Sequence, residues 1–164
     1  MGEPRSIHAL GSIEIRWIAP RVLGWQVTGY IDTRTLEDAL VRAAELMASV
    51  EGPIATYVDV RAGDGFAAGI PIRGVRWVQS HPGRITRTAY IVRPGPLVAV
   101  VRTFPVLLRG IEMAIVTNPD EALAFLGATG ARGRIDEGRR RRKSSGEHPV
   151  DSQHEPLLVR RPPR

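Results

Sequence analysis

The sequence predicts an α/β layered domain: a hairpin followed by βα repeats, giving a mixed, mostly parallel sheet of four to five strands with helices packed on it. Three observations carry this reading. Ile13, Ile15 and Trp17 alternate with Glu14 and Arg16, the period of a strand with one wet face. An apolar strand ending at Ile31 runs through Asp32 into a helical pattern in which Leu36, Ala39, Leu40, Ala43, Met47 and Val50 fall on one stripe. The same succession of apolar run, breaker and amphipathic run then recurs until about residue 128.

Taken in order, residues 12–19 form the first strand and Pro20-Arg21 a short turn, so the strand over 22–31 returns antiparallel beside it. Asp32, Thr33 and Thr35 each offer an acceptor to the open amides of the next helix, and Thr35 with Asp38 has capping-box spacing. Gly52-Pro53 ends that helix. A third strand is expected over 54–60, parallel to the second because a helix joins them. The glycine- and alanine-rich stretch 61–69 reads as a loop, and a helix follows over 70–80 with Pro71 in its first turn. Residues 84–92 form a fourth strand. Gly95-Pro96 opens a helix carrying Leu97, Val100, Val101, Phe104 and Leu108, which Pro105 should kink or end. A short strand over 112–117 and a helix capped by Asn118-Pro119-Asp120 complete the body.

Beyond Ala128 the apolar pattern fails, which divides the chain into a domain over 1–128 and a basic tail over 129–164 expected to be disordered. Residues 1–130 carry 13 Arg and Lys against 12 Asp and Glu, whereas 131–164 carry 10 against 5. Five of the six net positive charges therefore belong to the tail, and no basic groove is implied on the body. Four arginines and Lys143 before Ser144 and Ser145 could hold an acidic protein or nucleic acid through charge alone, non-specifically, because the tail lacks aromatic residues to stack on bases. The absence of cysteine excludes thiolate chemistry and a disulfide framework. With no apolar run of signal-peptide or membrane-spanning length, the expectation is a cytoplasmic protein.

Two surfaces could carry function. Strand ends in an open parallel sheet gather ligand sites, and Asp32, Asp59 and Asp64 lie at such ends, with Arg61 beside them. They could bind an anionic or apolar ligand at the rim, hold a metal ion, or serve as acid and base; the stronger reading is structural, with Asp32 a helix cap, Asp59 an ion-pair partner of Arg61, and Asp64-Gly65 a turn. The second surface is the helix after residue 69. Pro71, Gly74, Val75 and Val78 share one stripe, with Gly74 allowing close approach to the sheet. Arg73, Arg76 and Trp77 share the other, where a tryptophan among arginines could anchor a partner or lie folded on apolar surface. Arg61, Phe66, Arg73, Arg76 and Trp77 are thus the expected partner-binding set. GDGFAAG at 63–69 lacks the lysine and hydroxyl of a phosphate-binding loop and does not match the dinucleotide fingerprint. No catalytic residue, metal site or cofactor is expected.

The runs VTGYIDTRTLEDAL, TYVDVR and NPDEALAFL resemble the STAS domain, in its SpoIIAA-like, anti-sigma-factor-antagonist-like branch, over about residues 11–127. The resemblance implies a sheet with helices packed on one side and a non-enzymatic binding role. In the antagonists of that family a serine or threonine after the third strand is phosphorylated by a partner kinase; here no hydroxyl side chain lies between Tyr57 and Ser80, so that switch does not carry over. The resulting expectation is a regulatory module that binds a protein partner or a second copy of itself. The alternative is a domain that binds a small apolar or anionic ligand, or an enzyme using the rim carboxylates.

Overall fold

The computed structural model describes residues 11–131 and residue 133. β1 (Ser12–Ala19) and β2 (Val22–Ile31) pair antiparallel, and β3 (Ile54–Phe66), β4 (Ile85–Ile91) and β5 (Glu112–Val116) add in parallel, in the spatial order β1-β2-β3-β4-β5. α1 (Thr33–Ala48) and α2 (Ile70–Gln79) connect the first parallel strands, α3 (Pro96–Val101) and α4 (Phe104–Leu107) the next, and α5 (Pro119–Phe125) follows β5. This is the mixed, mostly parallel five-stranded α/β architecture that the pattern of elements predicts.

Because each new parallel strand is laid beside the last, right-handed crossovers place every connecting helix on the same face of the sheet. Ile15, Leu23, Ile54 and Ile85 form a buried cluster with Ala39, Ala43 and Met47 of α1 on that face. The helices are not confined to one side, however. α5 crosses to the other face, where Ala122, Leu123 and Leu126 pack on Tyr57, Ala89 and Ile91. No strand follows α5, so nothing requires it to cross back over the first face.

Local chemistry accounts for most boundaries. The carboxylate of Asp32 accepts the amide of Thr35 at 2.8 Å, and Asn118 accepts that of Asp120 at 2.9 Å. Asp32 alone closes the start of α1, without a Thr35–Asp38 box. Gly24 lets β1 and β2 close, since a Cβ there would meet Ile18 Cγ2 at 2.6 Å. The expected helix after Gly95 is two short helices: Pro105 has no amide to donate and sits in the first turn of α4, and the chain breaks at Arg102-Thr103.

The stretch 61–69 departs from the loop expected there. Residues 61–66 continue β3, with Ala62 opposite Thr28 and Phe66 opposite Ile31. Register shifts after Gln26 and after Gly29 show why the composition misleads: the glycines are those of a bulged strand. The chain also stays packed past Ala128. Thr129–Ala131 forms a 3-10 turn whose Ala131 is buried with Ile18 and Val22. The basic run and its serines, and the rest of the tail, lie outside the described residues.

Candidate functional site

The helix-covered face of the sheet does not close completely. Between it and the helices lies a cavity of about 180 Å³. Its floor comes from the face of β3 and β4 that carries Thr56, Val58, Val60, Thr88 and Tyr90; Trp25 and Val27 of β2 extend it. Gly74, Trp77 and Val78 of α2 face it, as do Leu97, Val100 and Phe104 of α3–α4. Ile31, Leu36 and Phe66 line it where the strands end.

Gly74 explains much of this space. It stands within the inward arc of α2, between buried Ile70 and Val75, yet a Cβ built on it meets no atom of the described residues within 4 Å beyond its own stretch of helix. The close approach to the sheet expected at Gly74 is absent; the glycine leaves a void where a side chain would otherwise pack.

Aromatic rings make up a large part of the wall. Trp25 and Trp77 meet edge to face with centroids 5.9 Å apart, and Tyr90 tilts against Phe104 at 5.4 Å. Trp77, expected among exposed arginines, instead lies half-buried against the core around Leu23 and Ile54, and its ring also contacts His81 at 4.6 Å. Trp77 comes seven residues after Ile70, almost two full helical turns, and so returns to the inward face. Burial pushes the Tyr90 phenol above its ordinary range, so it stays an uncharged hydroxyl. Thr56 and Thr88 lie opposite each other in register with their hydroxyl oxygens 2.8 Å apart. The indole N–H of Trp25 is buried with no hydrogen-bond partner among the described residues.

The three carboxylates expected at one rim are kept apart. Asp32 caps α1, and the Thr35 amide holds its carboxyl below the usual range. Asp59 follows Tyr57 on the opposite face of the sheet, 2% exposed, and Arg61 grips it in a two-pronged ion pair at 2.9 and 2.7 Å. Asp64 pairs with Arg93 at 3.4 Å. Among the described residues no group of three or more His, Asp or Glu side chains is placed to hold a metal ion.

The expected partner set is likewise divided. Arg61 is committed to Asp59, Phe66 and Trp77 turn toward the cavity, Arg73 pairs with Glu37 at 2.8 Å, and Arg76 stays on the outer face of α2. Thr56, Thr88, Trp25 and Tyr90 were not among the expected site residues. Their signal was available: the period-two alternation that puts Leu23, Val58 and Val60 under the helices puts these polar-tipped side chains there too.

The chain is thus an α/β sandwich with an aromatic-lined void on its helix-covered face. Its fold is SpoIIAA-like. An uncharacterized protein of the DUF3478 family from Shewanella loihica PV-4, itself with a SpoIIAA-like fold, overlays with a TM-score of 0.58 at 19% identity, covering 76% of this chain and 99% of that one. The anti-sigma factor antagonist SpoIIAA in its unphosphorylated form overlays at 0.45, with 14% identity over 78% of this chain and 98% of that one. An anti-sigma factor antagonist from Mycobacterium paratuberculosis also gives 0.45, with 17% identity over 77% and 98%. No protein-family model matches the chain, and no protein of curated function matches it in sequence. Among the described residues no helix is long and apolar enough to cross a membrane.

Proposed function

We propose that this chain is a non-enzymatic binding module that takes up a small apolar molecule between its sheet and helices α2–α4, and that uptake is read by a protein partner. The cavity of about 180 Å³ carries the proposal. An engineered apolar cavity of about 150 Å³ is large enough for benzene or xenon, which sets the size class of the ligand. Aromatic and aliphatic walls favour such a molecule by the ordinary transfer term, about 25 cal/mol per Å² of apolar surface removed from water.

The outer side of the same helices supports the second half of the reading. Ile72 of α2 and Val106 and Leu107 of α4 are 43%, 68% and 43% exposed, and the Gln79 side chain ties α2 to the Leu107 carbonyl at 3.1 Å. Helices that touch the ligand on one side and carry exposed apolar residues on the other are suited to report occupancy. In this reading Arg73 and Arg76 border the partner surface, while Trp77 belongs to the ligand.

Titration with ethylbenzene tests the proposal. Saturable binding is expected, raising the unfolding free energy by about 1.4 kcal/mol at ten times the dissociation constant. In Gly74→Leu the added side chain should occupy the void. The unliganded protein should then gain about 1 kcal/mol from helix propensity alone, while ethylbenzene no longer binds. Equal binding to both proteins, or none to either, would contradict the proposal.

A further inference from the structure

We infer that the ligand of this cavity is uncharged and presents a hydrogen-bond acceptor, such as a ketone, ester or ether oxygen, to the Thr56–Thr88 pair on the cavity floor. The inference rests on the cavity being the binding site proposed above. Both threonines are buried, both line the cavity, and they face each other across β3 and β4 with 2.8 Å between hydroxyl oxygens. Two hydroxyls carry two protons. The contact between them uses one, and neither hydroxyl makes another hydrogen bond among the described residues. One O–H in the middle of an apolar floor is therefore left without an acceptor.

Trp25, in the adjoining wall, holds a second donor, an indole N–H buried with no hydrogen-bond partner among the described residues. Both unmet groups are donors, and an unmet buried donor is costly until an acceptor reaches it. The walls also exclude charge. Among the described residues no Asp, Glu, Lys, Arg or His lines the cavity, so an ionised headgroup would lose its hydration with no counter-charge there to replace it. Cross-strand threonine pairs can also steady a sheet without any ligand. On that account alone, substitution of the pair would leave ligand preference untouched.

Acetophenone and ethylbenzene share a skeleton and differ by a carbonyl in place of a methylene, so they separate the two roles. Dissociation constants of both would be measured by amide and indole NMR on the full chain and on the double variant Thr56→Val/Thr88→Val. The variant should fold, because replacing both partners by apolar groups of the same shape is close to neutral. The ratio of the two constants is expected to shift about tenfold toward ethylbenzene in the variant, the worth of a buried carbonyl losing its donor. A crystal structure of the wild-type protein with acetophenone should place the carbonyl oxygen within hydrogen-bond distance of Thr56 or Thr88 Oγ1, a readout that does not depend on the variant. An unchanged ratio, or a carbonyl turned away from the pair, would overturn the inference and leave the cavity as a plain apolar site. Failure of both compounds to bind the wild-type protein would overturn the binding proposal itself, and this inference with it.

Discussion

Arg84 reaches from the start of β4 back to the end of α1, where its guanidinium donates to the carbonyls of Met47 at 2.6 Å, Val50 at 2.8 Å and Gly52 at 2.5 Å. The last turn of α1 has no basic residue of its own, so this distant cation complements its dipole and ties the helix end and the loop after it to β4. Arg84→Ala should therefore lower stability by about 2 kcal/mol, as befits hydrogen bonds from a charged donor, measured by urea unfolding; a loss under about 0.5 kcal/mol, the ordinary surface value, would mean that solvent serves those carbonyls equally well. The Asp32 and Asn118 caps were legible in the sequence because donor and acceptor lie within three residues of each other. The Arg84 cap was not, since its partners are more than thirty residues away and nothing local marks the arginine.

Strands whose partners are close in sequence were legible to their ends. β1 and β2 occupy the spans that alternation and the Pro20-Arg21 turn assign them. β3 was read too short because its carboxyl half pairs through bulges, and the glycines that permit bulges look like loop. The α3–α4 segment is the weakest part of the helical layer. It is split at Arg102-Thr103, buries no side chain in α4, and is bounded by Gly95 at φ 153° and Gly110 at φ 88°. Amides of residues 98–108 should thus exchange with solvent much faster than those of α1. Ethylbenzene should slow them selectively, because Leu97, Val100 and Phe104 touch the cavity. Exchange unaffected by saturating ligand would break the proposed link between uptake and the outer surface of these helices.

For the molecule as a whole, strand order and helix placement follow from short connections and crossover handedness, which is why the α/β class is legible in the sequence. The return of α5 to the far face could not, because no later strand constrains it. Nor could the cavity. A void is the difference between the space the backbone encloses and the side chains that fill it, and Gly74 reads equally well as close packing or as its absence. The rim carboxylates looked like a site because sequence places all three near strand ends, but alternation sends Asp59 through the sheet to the other face. A crystal structure under xenon pressure shows whether the void beneath the helices is open, since xenon enters dry apolar cavities and needs no knowledge of the natural ligand. Xenon density is expected between Gly74 and the Thr56–Thr88 pair, inside the ring formed by Val58, Trp77 and Phe104; a floor on which α2 and α3 have closed, with no xenon above it, would mean that this protein holds no such binding cavity.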